Sequence, residues 1–366
     1  MTDSTPIDEL ARADVRALPL YAPDAANALV DLSDNTNLWG TPPAVMRSLG
    51  EGPPSAMARY PSLYGSPLRR AVLHYLGFAD TDDLAVLTGC GSDDIIDSTM
   101  RAFGEPGERV AFSSPTFTMV PLFARLNGLT PVAVPLTAEF DIDAQRLVEC
   151  RAKITYLCAP NNPTATAVSR AAVEYVISHA PGIVLLDEAY AEFAPEIFAD
   201  LLATRPRLIV ARTFSKAFGL AGLRIGVGVG SKRLIEFVAR ARGPYKVTSL
   251  AERAALAALD PAPDGLPWVL ARAADAVHNR DRMIAELQRL GFAPLPSATN
   301  FIMIPTARAR MLAGRLAEHG VIVRAFTGLP QEIPAFADNG SSALRISIGP
   351  WAMLQVVLDR LAELGP

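Results

Sequence analysis

Residues 154–187 read ITYLCAPNNPTATAVSRAAVEYVISHAPGIVLLD. Two short β-rich runs, Ile154–Cys158 and Ile183–Asp187, stand on either side of a stretch with helical texture. Neither run alternates apolar with polar residues, so each reads as a strand covered on both faces, and strand, helix, strand in succession builds parallel pairing. The same rhythm continues outward in Leu84–Thr88 (LAVLT), Arg109–Phe112 (RVAF), Pro131–Pro135 (PVAVP), Leu208–Ala211 (LIVA) and Ile225–Val229 (IGVGV). The pattern predicts an α/β fold with a seven-stranded, mostly parallel central sheet sandwiched by helices.

After about residue 245 the texture changes. Ser249–Leu259 and Trp268–Leu290 carry helical periodicity and are divided by the loop DPAPDGLP. A smaller α+β pattern follows: strands at Asn300–Ile304 and Val321–Arg324, a loop from Thr327 to Ser342, a strand at Ala343–Ile348 and a closing helix Pro350–Leu364. The expected organisation is an N-terminal arm (1–30) that packs on the small domain or a partner subunit, a large domain (31–265) and a small C-terminal domain (266–366).

Composition narrows the function classes. In 366 residues, 50% are hydrophobic and 20% charged, which excludes long disorder. The net charge of -4 comes without a basic run, so no nucleic-acid partner is expected. Cys90, Cys150 and Cys158 form no CxxC pair, and neither they nor the four scattered histidines show metal-ligand spacing; no metal site is expected. The N-terminus MTDSTPIDELARADVR lacks the apolar segment of a signal peptide, and no run reaches eighteen apolar residues. A cytoplasmic protein with no membrane partner is expected.

In open α/β sheets ligands bind beyond the carboxyl ends of the strands. LAVLT runs into Gly89-Cys90-Gly91-Ser92-Asp93 and a helix from about Asp94, a turn whose N–H groups and helix dipole suit a phosphate. ITYLC is followed by Ala159-Pro160-Asn161-Asn162-Pro163-Thr164, two amides held in a turn. IVLLD ends on Asp187, a half-buried acid that needs a cationic partner, and LIVA leads into Arg212-Thr213-Phe214-Ser215-Lys216, where desolvation would make the lysine nucleophilic. Each feature alone is weak. Together they meet the needs of one cofactor, pyridoxal 5'-phosphate: a phosphate cradle, a Schiff-base lysine, an acid for the ring nitrogen and an amide or hydroxyl at O3'.

The strings VDLSDNTN, APNNPT, LLDEAYAEF, RTFSKAFGLAGLRIG and LRISIG resemble the fold-type I pyridoxal-phosphate aminotransferases of the class-II type, from about Asp31 to the C-terminus, and among them the histidinol-phosphate aminotransferases. The resemblance implies a homodimer with shared active sites that exchanges an amino group between glutamate or 2-oxoglutarate and histidinol phosphate or imidazole-acetol phosphate. It makes Lys216 the Schiff-base lysine and proton shuttle, Asp187 the partner of the ring nitrogen, and Asn161 with Tyr190 the pair at O3'. Phe117 stacks on the ring; Ser92, Asp93, Ser215 and Arg224 hold the phosphate, joined by Tyr60 from the neighbouring subunit. Arg345 takes a carboxylate by its bidentate fork, Arg324 supplies a second anion contact, and Tyr21 and Asn37 face the substrate. Ala165 stands where most relatives carry glycine, and NTNLWG (35–40) departs from the family's usual NENPYG, with Trp39 either narrowing the pocket or packed in the core. Other activities on the same scaffold are an aromatic or other amino-acid aminotransferase and a threonine-phosphate decarboxylase.

Overall fold

Runs of apolar residues too short to make a helix become the middle of a sheet. The computed structural model describes residues 7–17, 28–51, 57–63, 66–80 and 83–366. Its strands are β1 (Val30–Asp31), β2 (Leu84–Gly89), β3 (Arg109–Ser114), β4 (Thr130–Pro135), β5 (Ile154–Cys158), β6 (Ile183–Asp187), β7 (Leu208–Thr213), β8 (Gly226–Ser231), β9 (Phe301–Pro305), β10 (Val321–Ile322), β11 (Arg324–Thr327) and β12 (Ser342–Ser347). Seven of them form one sheet in the order β2-β8-β7-β6-β5-β3-β4. Neighbours from β7 to β4 are parallel, and β8 runs antiparallel to both β7 and β2. Every residue of β5, β6 and β7 is buried, as strands between two helical layers must be, whereas the edge strand β4 keeps positions open to solvent.

Several strands run one or two residues further than the sequence reading placed them. β3 continues to Ser114 and β7 to Thr213, because the ladder goes on satisfying backbone groups after the apolar run ends. β8 has glycine at every second position on one face. A Cβ at Gly226 would lie 2.4 Å from the Ser92 nitrogen, and one at Gly228 would lie 2.7 Å from Ile95 Cγ2. Their absence lets the helix Ser92–Phe103 press against the sheet, which carries its N-terminus to the sheet's carboxyl edge.

Beyond the long helix Leu266–Arg289 lies a three-stranded antiparallel sheet, β11-β12-β9. The single strand expected at Val321–Arg324 is in fact two. β10 pairs with β1 in parallel, and after Val323 the chain joins β12 as β11, so the two halves satisfy their backbones in different sheets. The loop expected from Thr327 to Ser342 contains a short helix, Pro334–Ala337, with proline in its first turn. Within the arm, the Arg12 guanidinium donates to the Leu126 carbonyl, and the Leu29 and Val30 N–H groups both reach the Gly320 carbonyl. Among the described residues no helix is long and apolar enough to cross a membrane.

Candidate active site

The carboxyl ends of β5, β6 and β7, the N-terminus of the helix Ser92–Phe103 and one face of the small sheet enclose a cavity of about 600 Å³. Its floor is Asp187, the last residue of β6. Tyr156 donates its hydroxyl proton to Asp187 Oδ2 at 2.7 Å, and the Ala189 N–H donates to Oδ1 at 3.0 Å. Burial pushes this carboxyl up to about 6, and the two donors oppose that rise. Lys216, in the loop after β7, lines the same cavity and donates from Nζ to the Asp34 carbonyl at 2.8 Å. Burial, and next the positive charge of Arg345, lower its ammonium to about 8, within reach of a neutral, nucleophilic amine near physiological pH.

Tyr190 lies over this floor, with its ring edge-on to Phe301 at 5.1 Å and its hydroxyl accepting from Asn35 Nδ2 at 3.1 Å. Asn35 was not singled out by sequence. It adopts a left-handed φ of +59°, is 1% exposed, and joins three parts of the chain: its Oδ1 accepts from Ser347 Oγ and its carbonyl from Asn300 Nδ2.

Two expectations are corrected here. Asn161 does not line the cavity. It is 1% exposed, with Nδ2 donating to the Pro115 carbonyl and Thr164 Oγ1 and Oδ1 accepting from Thr116, so its amide is consumed in closing the turn. The next residue, Asn162, takes the cavity wall and accepts from Arg345 Nη1 at 2.8 Å. Asn37 is likewise spent on the fold: its Nδ2 donates to the Ala217 carbonyl and its Oδ1 accepts the Trp39 N–H, while Trp39 packs against the core.

At one end of the cavity Gly91, with φ +78°, leads into the helix at Ser92. The Arg224 guanidinium packs so close that a Cβ on Gly91 would meet Nη2 at 2.8 Å. Arg224 also bonds Asp93 at 3.1 Å, and burial raises the Asp93 carboxyl against that cation's pull. Ser215 and Phe117 line the same cavity. Helix N–H groups, a guanidinium and hydroxyls make an anion cradle.

At the other end β11 and β12 set Arg324 and Arg345 directly opposite each other in register, hence on one face of the small sheet. Arg345 donates to the Ser33 carbonyl at 2.7 Å and lies against the rings of Phe301 and Phe326, at 5.2 and 5.3 Å. Two like charges side by side are costly unless an anion joins them.

Tyr60 stands away from this chain's cavity, 81% exposed, with its ring stacked on Tyr245 at 4.6 Å. Tyr21 lies outside the described residues. The remaining donor set fits pyridoxal 5'-phosphate: an anion cradle, a lysine of lowered pKa, a buried carboxylate on the floor and hydroxyl and amide groups between them.

The model of the aminotransferase class I and II family matches residues 27–361. A histidinol-phosphate aminotransferase of Roseiflexus castenholzii is 36% identical over 98% of this chain and 98% of its own length. An aromatic amino acid aminotransferase of Corynebacterium glutamicum is 33% identical over 87% of this chain and 92% of its own. Among solved structures, histidinol-phosphate aminotransferase from Sinorhizobium meliloti in complex with pyridoxal-5'-phosphate superposes with a TM-score of 0.84, at 25% identity over 96% of each chain.

Proposed function

The chain belongs to the aminotransferases of class I and II, and from that premise we propose that it exchanges an amino group between glutamate or 2-oxoglutarate and histidinol phosphate or imidazole-acetol phosphate. The observation that carries this reading is the pairing of ends in one cavity: a lysine–carboxylate floor at one side and two arginines in cross-strand register at the other. Pyridoxal 5'-phosphate, when bound, supplies an electron sink for the charge left at the substrate's Cα.

The chain's own groups divide the remaining work. Lys216 Nζ would hold the cofactor and, once displaced by the substrate's amino group, would carry the proton away from the substrate's Cα. Asp187 would hold the ring nitrogen protonated, Tyr190 and Asn162 would hold O3', and Phe117 would pack on the ring. Ser92, Asp93, Ser215 and Arg224 hold the phosphate through the helix N-terminus, the hydroxyl and the guanidinium, with Tyr60 contributed by a second copy. Arg345 and Arg324 receive the anionic end of either substrate, a carboxylate or a phosphate, which lets one site serve both half-reactions. We place this activity in a cytoplasmic homodimer, with residues 31–265 as the cofactor-binding domain and 266–366 as the small domain; the three free cysteines accord with a reducing compartment.

The Corynebacterium relative favours a second reading, in which the same reaction runs on aromatic amino acids. Visible spectra of the holoenzyme, taken with histidinol phosphate, glutamate, phenylalanine and phosphothreonine separately, test both. Conversion to the pyridoxamine form by histidinol phosphate and by glutamate is the expected result. Conversion by phenylalanine but not histidinol phosphate would move the substrate to the second reading, and carbon dioxide released from phosphothreonine would replace the reaction.

A further inference from the structure

Tyr156 has no part in the roles assigned above. It lies in the middle of β5, 0% exposed, among Leu185, Ile209 and other apolar side chains. A phenylalanine would fill that space without bringing in a hydroxyl, and a hydroxyl withdrawn from water is costly unless it is bonded. Its bond is to Asp187 Oδ2 at 2.7 Å. The pairing register explains the reach: Cys158 stands opposite Asp187 and Tyr156 opposite Leu185, so Tyr156 is the diagonal neighbour of Asp187 on the same face.

We propose that Tyr156 is a positioning residue, whose hydroxyl fixes the Asp187 carboxylate in the orientation and charge state that a protonated ring nitrogen requires. The proposal rests on the reading of Asp187 as that nitrogen's partner. Each carboxylate oxygen receives one donor, and the donors come from different segments, Tyr156 from β5 and Ala189 from the loop after β6. Rotation of the carboxylate would break both bonds, so its remaining lone pairs keep their aim at the cavity, which Asp187 lines.

The charge balance around Asp187 gives the hydroxyl a second effect. It is faced by Tyr156 and Cys158 of β5, Asp93 of the helix after β2, and Glu188 and Tyr190 of its own loop. Burial, Asp93 and Glu188 all disfavour the anion, and burial keeps Cys158 and both tyrosines protonated. The Tyr156 O–H and the Ala189 N–H are what hold the charge in place. Removing one of two donors from so buried a carboxylate leaves it more easily protonated.

The test measures the dissociation constant of pyridoxal 5'-phosphate across pH for wild type, Tyr156→Phe, Asp187→Asn and the double variant. Tyr156→Phe should bind the cofactor roughly tenfold more weakly near neutrality, with the acid limb of the affinity profile displaced upward by about one pH unit. On the Asp187→Asn background the same change should alter affinity by less than about twofold, as an effect transmitted through Asp187 must. An unchanged limb in Tyr156→Phe, or an equal loss with and without Asp187, overturns the proposal. Should Tyr156→Phe fail to fold, 3-fluorotyrosine at position 156 keeps the ring and strengthens the donor; the limb should then move down, and no movement is again fatal. In Asp187→Asn the limb should keep only what the Lys216 ammonium contributes, and a limb unchanged from wild type would remove the reading of Asp187 itself.

Discussion

The wall that β5, β6 and β7 build and the wall that β11 and β12 build face one cavity but handle charge differently. On the first, the ionisable groups are already bonded inside the chain: buried Asp187 to Tyr156 and Ala189, buried Tyr190 to Asn35, and half-buried Lys216 to the Asp34 carbonyl. On the second, two guanidinium groups of like charge stand in cross-strand register, with aromatic rings beside Arg345 and its N–H groups shared with Asn162 and the Ser33 carbonyl. The first wall shifts proton affinities and leaves little for a substrate to rearrange. The second concentrates positive charge, which an incoming anion would offset. On the proposed function chemistry and recognition fall to separate sheets, and changes in each should show in different kinetic constants.

Lys216→Ala should break the first wall outright. Multiple-turnover transamination should fall by at least about 10⁴-fold, since on the proposed roles both the anchor and the proton carrier would be lost, and the yellow lysine-linked spectrum should vanish. Sustained turnover in this variant would sink the division. Arg345→Ala should act on the second wall, raising KM for both substrates on the order of a hundredfold with a much smaller change in kcat. A loss confined to kcat would mean that this wall takes part in the chemistry. The smallest effect sharpens the first wall. Because Lys216 is lowered from 10.5 to about 8, its neutral form gains population as pH rises through 8 instead of through 10.5. The rate at which apoprotein captures pyridoxal 5'-phosphate should therefore rise about fivefold between pH 7 and pH 8. The same sign governs stability: the buried amine penalises the fold below about 8, and that penalty fades as pH climbs toward 10.5.

The first wall was the more legible in the sequence. Unbroken apolar runs ending in Asp187, or leading into Lys216, announce strands whose last residues open on a cavity, and both residues line one. What escaped depends on geometry that a string does not carry. Asn161 and Asn162 are chemically identical neighbours, and the turn that bonds the Asn161 N–H to the Thr166 carbonyl and the Ala165 N–H to the Asn161 carbonyl decides which of them faces the cavity. Asn35 is 155 positions from the tyrosine it bonds. Tyr156 becomes visible only once β5 and β6 are set in register, although a phenol in the middle of a strand buried on both faces was itself a signal. On the second wall, Arg324 and Arg345 were recognised one by one, but their face-to-face placement needed the β11–β12 pairing.

The glycine row of β8 has a consequence that belongs to suppressor genetics. At Gly228 the obstacle to a methyl group is the Ile95 side chain, so Gly228→Ala is a lesion that a smaller residue at position 95 can repair. At Gly226 the obstacles are the backbone of Gly91 and Ser92 and the Arg212 carbonyl, and no replacement of a side chain removes a main-chain atom. Selection for restored growth on a Gly226→Ala background should therefore return true revertants, while the same selection on Gly228→Ala should also return second-site changes at Ile95.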